Sequence, residues 1–169
     1  MNERREHFEQ EYDRLWRDYG PSLARLAYSY EPNADGREDL LQDIRLAIWL
    51  ALPRFRGESS LKTFLFRIAH NRALTHVWRR KTTRSAEELK EPIDTRPGLE
   101  RATIEAINYS RLTEAIRQLP LPFRQVITLS LEDLSYAEIA SVLGISENNV
   151  AVRINRARKL LREKVGESR

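Results

Sequence analysis

The chain has 169 residues, with 29 lysines and arginines against 25 acids and no cysteine. That length leaves room for one medium domain or two small ones, and the composition excludes disulfides and thiolate metal sites. The charged N-terminus, MNERREHFEQEYDRLW, lacks the apolar core of a signal peptide, and no later run approaches the length of a membrane span. A cytoplasmic chain without membrane insertion is expected. Six glycines and abundant Leu, Ala, Arg and Glu point to an all-α fold. The net charge of +4 says less about partners than its distribution does.

Phe8, Tyr12, Leu15, Trp16 and Tyr19 recur at helical spacing. Gly20-Pro21 is expected to end that helix, Pro21 opening a second that carries Leu23, Leu26, Ala27 and Tyr30. Aromatic stripes of this kind are core. Glu31 to Gly36 reads as a turn. From Arg37 to Leu52 a third helix buries Leu40, Leu41, Ile44, Ala47, Ile48 and Ala51, while its opposite side mixes Asp39, Gln42, Asp43 and Arg45 with Leu46, Trp49 and Leu50. Large apolar groups among carboxylates, where solvent was expected, fit either a docking surface or a helix sandwiched within its own domain with Trp49 buried.

Pro53 to Ser60 forms a loop, and Ser59 or Ser60 caps a fourth helix reaching about Arg80, with Leu61, Phe64, Leu65 and Ile68 on its buried side. No acid occurs between Glu58 and Glu87, whereas Lys62, Arg67, Arg72, Arg79, Arg80, Lys81 and Arg84 lie there with Phe64, Phe66 and Trp78 interleaved. Cations follow phosphates and aromatic rings stack on unpaired bases, so the mixture suits a single-strand or melted-duplex binder. A membrane-surface helix would share the charge, but His70, Asn71, Thr75 and His76 interrupt the apolar face it needs.

Ser, Thr, Pro and Gly accompany Glu87, Glu88, Glu91 and Asp94 between Thr82 and Gly98, the composition of a linker. The chain therefore divides into an N-terminal domain at 1–81, a flexible linker at 82–98 and a C-terminal domain at 99–169. The acidic linker is placed to shield the flanking basic surfaces weakly from DNA. Leu99, Ala102, Ala106, Leu112, Ile116 and Leu119 mark one long or two abutting helices, which Pro120 stops. Pro122 opens another, with Phe123, Val126, Ile127 and Leu131. Ser135 and Glu138 make a capping box, Gly144 supplies a left-handed residue and Ser146 caps the last helix, which together spell a helix-turn-helix. On that last helix Val150, Ile154, Ala157 and Leu161 share one face. Asn148, Asn149, Val152, Asn155, Arg156 and Lys159 share the other, with Arg153 beside them and no acid from Asn148 to Arg162.

With both halves in view, the chain resembles bacterial RNA polymerase sigma factors of the extracytoplasmic-function (ECF) class. The resemblance is carried by D-L-L-Q-D-I at Asp39 to Ile44, A-L-P-R-F-R-G-E-S-S-L-K-T-F-L-F-R-I-A-H-N at Ala51 to Asn71, L-P-L-P-F-R-Q-V at Leu119 to Val126, and S-Y-A-E-I-A-S-V-L-G-I-S with R-A-R in the last helices. It implies a promoter-specificity subunit without cofactors, metal or catalysis of its own. Asp39, Gln42, Asp43, Leu46 and Trp49 would dock on the β′ coiled coil of core RNA polymerase, with the β flap as a second contact. Arg56, Gly57, Glu58, Ser59, Ser60, Lys62, Arg67, His70 and Asn71 would face the −10 element, where an extruded base of the non-template strand is held. Asn148, Asn149, Val152, Arg153, Asn155, Arg156 and Lys159 would read the −35 duplex, amides suiting adenine edges and arginine suiting guanine or phosphate. Members of the class are commonly held inactive by an anti-sigma factor, a partner the resemblance leaves open here. The chain departs from the family at Asn148-Asn149, where Gly-Thr is frequent, at Ala151, where a cation is usual, and at Phe64, where Trp is frequent. Its target sequence is therefore its own.

Two other classes of function fit less of the chain. A helix-turn-helix regulator acting on an operator without polymerase needs neither the two-sided third helix nor the aromatic basic one. A nuclease could be imagined from Asp39, Asp43 and Glu58, but acid pairs at helical spacing are common on solvated helices, and His7, His70 and His76 have no zinc-site spacing.

Overall fold

The computed structural model describes residues 2–84 and 104–166. Seven α-helices occur among them: α1 (Asn2–Tyr30), α2 (Ala34–Ala51), α3 (Leu61–Arg84), α4 (Ile104–Arg117), α5 (Leu121–Leu131), α6 (Tyr136–Leu143) and α7 (Glu147–Gly166), with one 3-10 turn at Leu52–Arg54. The all-α expectation is met. Most of the expected linker lies outside the described residues, and α3 continues through 82–84, its start. There the hydroxyls of Thr82 and Thr83 donate to carbonyls one turn back, at 3.0 Å each, so these residues sit in a helix without competing for its amides.

The expected break at Gly20-Pro21 is absent, since α1 runs unbroken with Pro21 inside it. A proline in a helix costs about 3 kcal/mol through its missing N–H and its clash with the preceding turn. Here one apolar stripe continues across it, with Leu15 before and Leu23, Leu26, Ala27 and Tyr30 after, all buried. Each buried leucine returns about 1.5–3 kcal/mol, so keeping the stripe straight against its neighbours outweighs the local penalty. The start of α2 also differs from expectation. Asn33 caps it, its side-chain oxygen accepting from the amides of Asp35 at 2.9 Å and Gly36 at 3.1 Å, which draws Ala34 to Gly36 out of the expected turn and into the helix.

In the N-terminal half, α1 packs on α2 and α3 through Leu23, Leu26, Leu40, Ile44, Ile48, Leu65 and Phe66, all fully buried. In the C-terminal half Leu119, Val126, Leu129, Ile139, Val150, Ile154 and Ala157 serve the same purpose. Both sets belong to one continuous hydrophobic cluster, because α6 lies along α3 and the N-terminal helix touches α4 and α5. Polar contacts also cross between the halves. Arg25 forks onto Glu132, donating at 2.7 Å to each carboxylate oxygen. Glu138 accepts from Ser60 Oγ at 3.1 Å and Thr63 Oγ1 at 3.0 Å, and Arg67 donates to Ser141 Oγ at 2.6 Å.

Candidate nucleic-acid and partner interfaces

On α2 the core face leaves Asp39, Gln42, Asp43 and Leu46 exposed, and Leu50 with them. Asp39, Asp43, Leu46 and Leu50 form one stripe at helical spacing, and both leucines are more than half exposed. Trp49 belongs elsewhere. Its ring meets Phe8 edge-on at 4.6 Å and Tyr12 at 4.9 Å, bracing α1 against α2. The Tyr12 hydroxyl donates to the Arg45 carbonyl at 2.8 Å, and the Arg45 guanidinium lies over Trp16 at 4.8 Å. Of the two readings of this helix, Trp49 follows the internal one and the leucines stay outside. Leu50 is the stripe residue that the docking set named from sequence omits.

The loop between α2 and α3 and the first turns of α3 line an open cavity of about 650 Å³, with Pro53, Arg54, Phe55, Arg56, Glu58, Ser59, Phe64 and Arg67 on its walls. The Phe55 and Phe64 rings lie 4.7 Å apart on its wall. Gly57 turns the loop at φ +71°, a backbone conformation that suits glycine. Ser60 opens α3 by accepting from the Thr63 amide at 3.1 Å. Aromatic walls, three arginines and a buried Arg67 Nε without an acceptor among the described residues fit a flat, polar-edged guest beside an anion. Arg56, Glu58, Ser59 and Arg67 from the expected −10 set line this cavity, while Arg54, Phe55 and Phe64 were not in that set. Gly57, Ser60, Lys62 and Asn71 flank it along the loop and helix.

His70 corrects the expectation. It is 3% exposed, and its Nδ1 lies 3.0 Å from the Tyr30 hydroxyl, so it faces the core and offers nothing to DNA. Burial pushes its pKa down to about 4. Phe66 likewise is wholly buried, which leaves Trp78 as the exposed ring of the three aromatics interleaved with the basic stretch. A buried carboxylate, Glu31, ties the far end of α3 to α1. It accepts from His76 Nε2 at 2.8 Å, from Arg80, and from the Asn33 amide at 2.9 Å.

The helix-turn-helix forms as its caps predict. Ser135 Oγ accepts from the Glu138 amide at 3.2 Å, and the Glu138 carboxylate accepts from the Ser135 amide at 2.8 Å. That backbone bond, reinforced by the hydroxyls of Thr63, Ser135 and Ser60, holds the Glu138 pKa below the ordinary carboxylate value against partial desolvation. Gly144 sits at φ +67° and ends α6, and Ser146 accepts from the Asn149 amide at 3.2 Å to start α7. Val150, Ile154 and Ala157 are fully buried. Asn148, Asn149, Val152, Asn155, Arg156 and Lys159 are exposed on the opposite face, with Arg153 half-buried at its edge.

Residues 15–83 match the family model for Sigma-70 region 2, and residues 109–161 match that for Sigma-70, region 4. The ECF RNA polymerase sigma factor SigE of Mycolicibacterium smegmatis is 32% identical over 157 residues, covering 90% of this chain and 60% of the relative. The ECF RNA polymerase sigma-E factor of Escherichia coli is 32% identical over 158 residues, covering 87% of this chain and 82% of the relative. Among solved structures, the sigma factor RpoE in complex with the anti-sigma factor NepR from Bartonella quintana superposes with a TM-score of 0.80 at 23% identity, covering 95% of this chain and 99% of that one. CnrH in complex with the cytosolic domain of CnrY gives 0.71 at 25% identity, covering 95% and 91%. The two family models and these relatives define a factor that directs transcription initiation. The chain belongs to the ECF class of RNA polymerase sigma factors. An operator-binding regulator acting without polymerase is not favoured. No helix among the described residues is long and apolar enough to cross a membrane.

Proposed function

We propose that residues 1–81 bind core RNA polymerase and capture the −10 strand, that 82–98 act as a tether, and that 99–169 read the −35 duplex. The α2 stripe carries this reading, because a regulator acting alone has no use for two exposed leucines beside two carboxylates on a helix whose other face is fully packed. Asp39, Gln42, Asp43, Leu46 and Leu50 meet the β′ coiled coil of the polymerase. The cavity at the start of α3 takes an extruded base, with Arg54, Arg56 and Arg67 offsetting phosphate charge. The exposed amides and cations of α7 enter the major groove at −35. The chain works in the cytoplasm without catalysis of its own. One structural neighbour is in complex with an anti-sigma factor and a second with the cytosolic domain of another protein, which supports an anti-sigma partner here.

Mapping the starts of transcripts made in vitro by bacterial core enzyme with and without the chain tests the whole reading. Start-site choice that depends on the chain is expected, and its absence with a folded protein refutes the proposal. Asp43→Arg is expected to weaken core binding while leaving the circular dichroism spectrum and thermal midpoint unchanged, since the side chain is exposed and outside the packed face. Unaltered affinity in a pull-down titration removes the stripe from the contact. Arg156→Ala is expected to cost about 1–3 kcal/mol at the −35 element and to relax preference at one base pair if it reads guanine. Equal loss on every sequence reassigns it to phosphate.

A further inference from the structure

His70 stands where the two halves meet. On α3 it shares one stripe at helical spacing with Thr63 and Arg67, and those two side chains reach α6, at Glu138 and Ser141. Its ring partner lies on the same seam. The Tyr30 hydroxyl, 3.0 Å from His70 Nδ1, also bonds to the Gln125 side chain and lies within the field of the Arg124 guanidinium, both on α5. His70 and Tyr30 are 3% and 6% exposed, and the C-terminal half supplies part of what shuts them from water.

The groups around the imidazole suit it only without charge. From α1 comes a phenol whose ionisation burial opposes, from α5 comes a cation, and α2 meets α3 through Leu40, Ile44 and Ile48. Two carboxylates lie on neighbouring elements, and each is committed. Glu31 accepts from His76 Nε2 and Arg80, while Glu138 accepts from Ser60, Thr63 and the Ser135 amide. Arg67 donates to Ser141. Arg124 is half-buried, with Nη2 on the Leu119 carbonyl at 3.1 Å, Nε without an acceptor among the described residues, and Arg117 of α4 adding like charge. A second proton on His70 sets another cation beside this one in a place closed to water, which is costly without a carboxylate at hand.

We infer that His70 is a proton-operated latch: neutral, it seals the seam with Tyr30, and protonated it favours separation of residues 104–166 from residues 2–84, so that acid opens the chain. The sign follows from solvation. Separation admits water to the ring and restores its ordinary pKa of about 6.5, against about 4 in the packed form. The open form therefore holds more protons between those values, and falling pH favours it. Glu138 has the same sign but acts below 4.5, since its pKa is held under that value. The consequence for promoter reading rests on the proposed division of −10 and −35 recognition, whereas the latch needs only that the halves part.

A chain without cysteine gives a clean probe of that parting. Thr63→Cys puts a lone thiol in the seam, at a position 2% exposed. Its labelling rate with a small thiol reagent, divided into the rate in urea at the same pH, measures how well the full chain protects it. Between pH 7.5 and 5.5 that protection is expected to fall about tenfold. In the same chain carrying His70→Gln, which takes up no proton, it is expected to stay level. Ala73→Cys, in the packed face of the N-terminal half, should be the better protected position at each pH. Protection at position 63 that ignores pH overturns the inference. An equal fall with glutamine at position 70 does so too, by assigning the effect to another group, and equal protection at positions 63 and 73 does so by showing that whole-chain unfolding exposes both. No polymerase enters this measurement, so its failure is distinct from a failure of the chain to direct transcript starts.

Discussion

Replacing Glu31 by leucine is expected to lower the unfolding free energy by about 3 kcal/mol, with a fall in the thermal midpoint of roughly 6–12 °C for a protein of this size. The carboxylate is fully buried where α1, the start of α2 and the far end of α3 converge, and it accepts from His76, Arg80 and the Asn33 amide. Burial opposes its ionisation, but the bonds from Arg80, His76 and the Asn33 amide outweigh burial and hold its pKa below the ordinary value. Leucine removes the charge and strands three donors. Arg80 remains partly exposed and can turn to water, which keeps the loss at the lower end for a broken buried pair. The space is also closed to simple rearrangement, since a Cβ built on Gly36 would stand 2.9 Å from Glu31 Cδ. Gly36→Ala should therefore destabilise in the same direction.

Acid should probe the same region, with His70 acting over a higher range than Glu31. A depressed carboxylate pKa gives stability that is present above the unfolded value of 4.5 and is lost as pH falls through the folded one. His70 has the same sign by a different cause. Its imidazole is buried neutral, so stability present above pH 6.5 is lost as pH falls toward about 4. That contribution amounts to about 3 kcal/mol by pH 4. Urea midpoints at pH 7.5, 5.5 and 4 would register it, and a flat profile between 6.5 and 5 would show that His70 is not held neutral by the fold.

Local chemistry was legible in the sequence wherever a few neighbouring residues decide the outcome. Ser135 with Glu138, Gly144, Ser146 and Pro122 each act over one turn, and the helix-turn-helix appears with its reading face outward as their spacing predicts. The α2 stripe was legible for the same reason, since a helix of known phase exposes what its core face does not use. What escaped was set by distant partners. Pro21 looked like a terminator until the stripe on both sides of it found one surface to lie on. His70 sat in a basic, polar stretch, and only Tyr30, forty residues away, turns it inward. Trp49 was ambiguous because the rings that enclose it come from α1. Nor could any pattern foretell that Glu138 would serve two purposes, closing its own helix and accepting from Ser60 and Thr63 of the other half.

Arg25→Glu should open the molecule, because, on the proposed division of −10 and −35 reading between the halves, the contacts between them do not survive the reading of a promoter. The −35 and −10 elements are about 25 base pairs apart, or about 85 Å along the duplex, whereas a compact body of this length spans roughly 40 Å. Both elements can be engaged at once only if the halves separate, and Ser60, Thr63 and Arg67 must first leave Glu138 and Ser141. Glu132 is buried, and the fork from Arg25 is its ion pair in the closed form. Reversing Arg25 leaves that carboxylate desolvated beside a second negative charge only while the halves are packed. The closed form alone is penalised, by about 2 kcal/mol once the half-exposed position of residue 25 is allowed for, a shift of roughly thirtyfold in the closed–open equilibrium. Small-angle scattering of the free chain should then show a radius of gyration above the compact value of about 15 Å. A −10 fork template should also bind the free variant more tightly than wild type, because the fraction competent to bind rises with opening. An unchanged radius together with unchanged affinity would mean that apolar packing between α3 and α6 keeps the halves together and that the Arg25 fork follows from it.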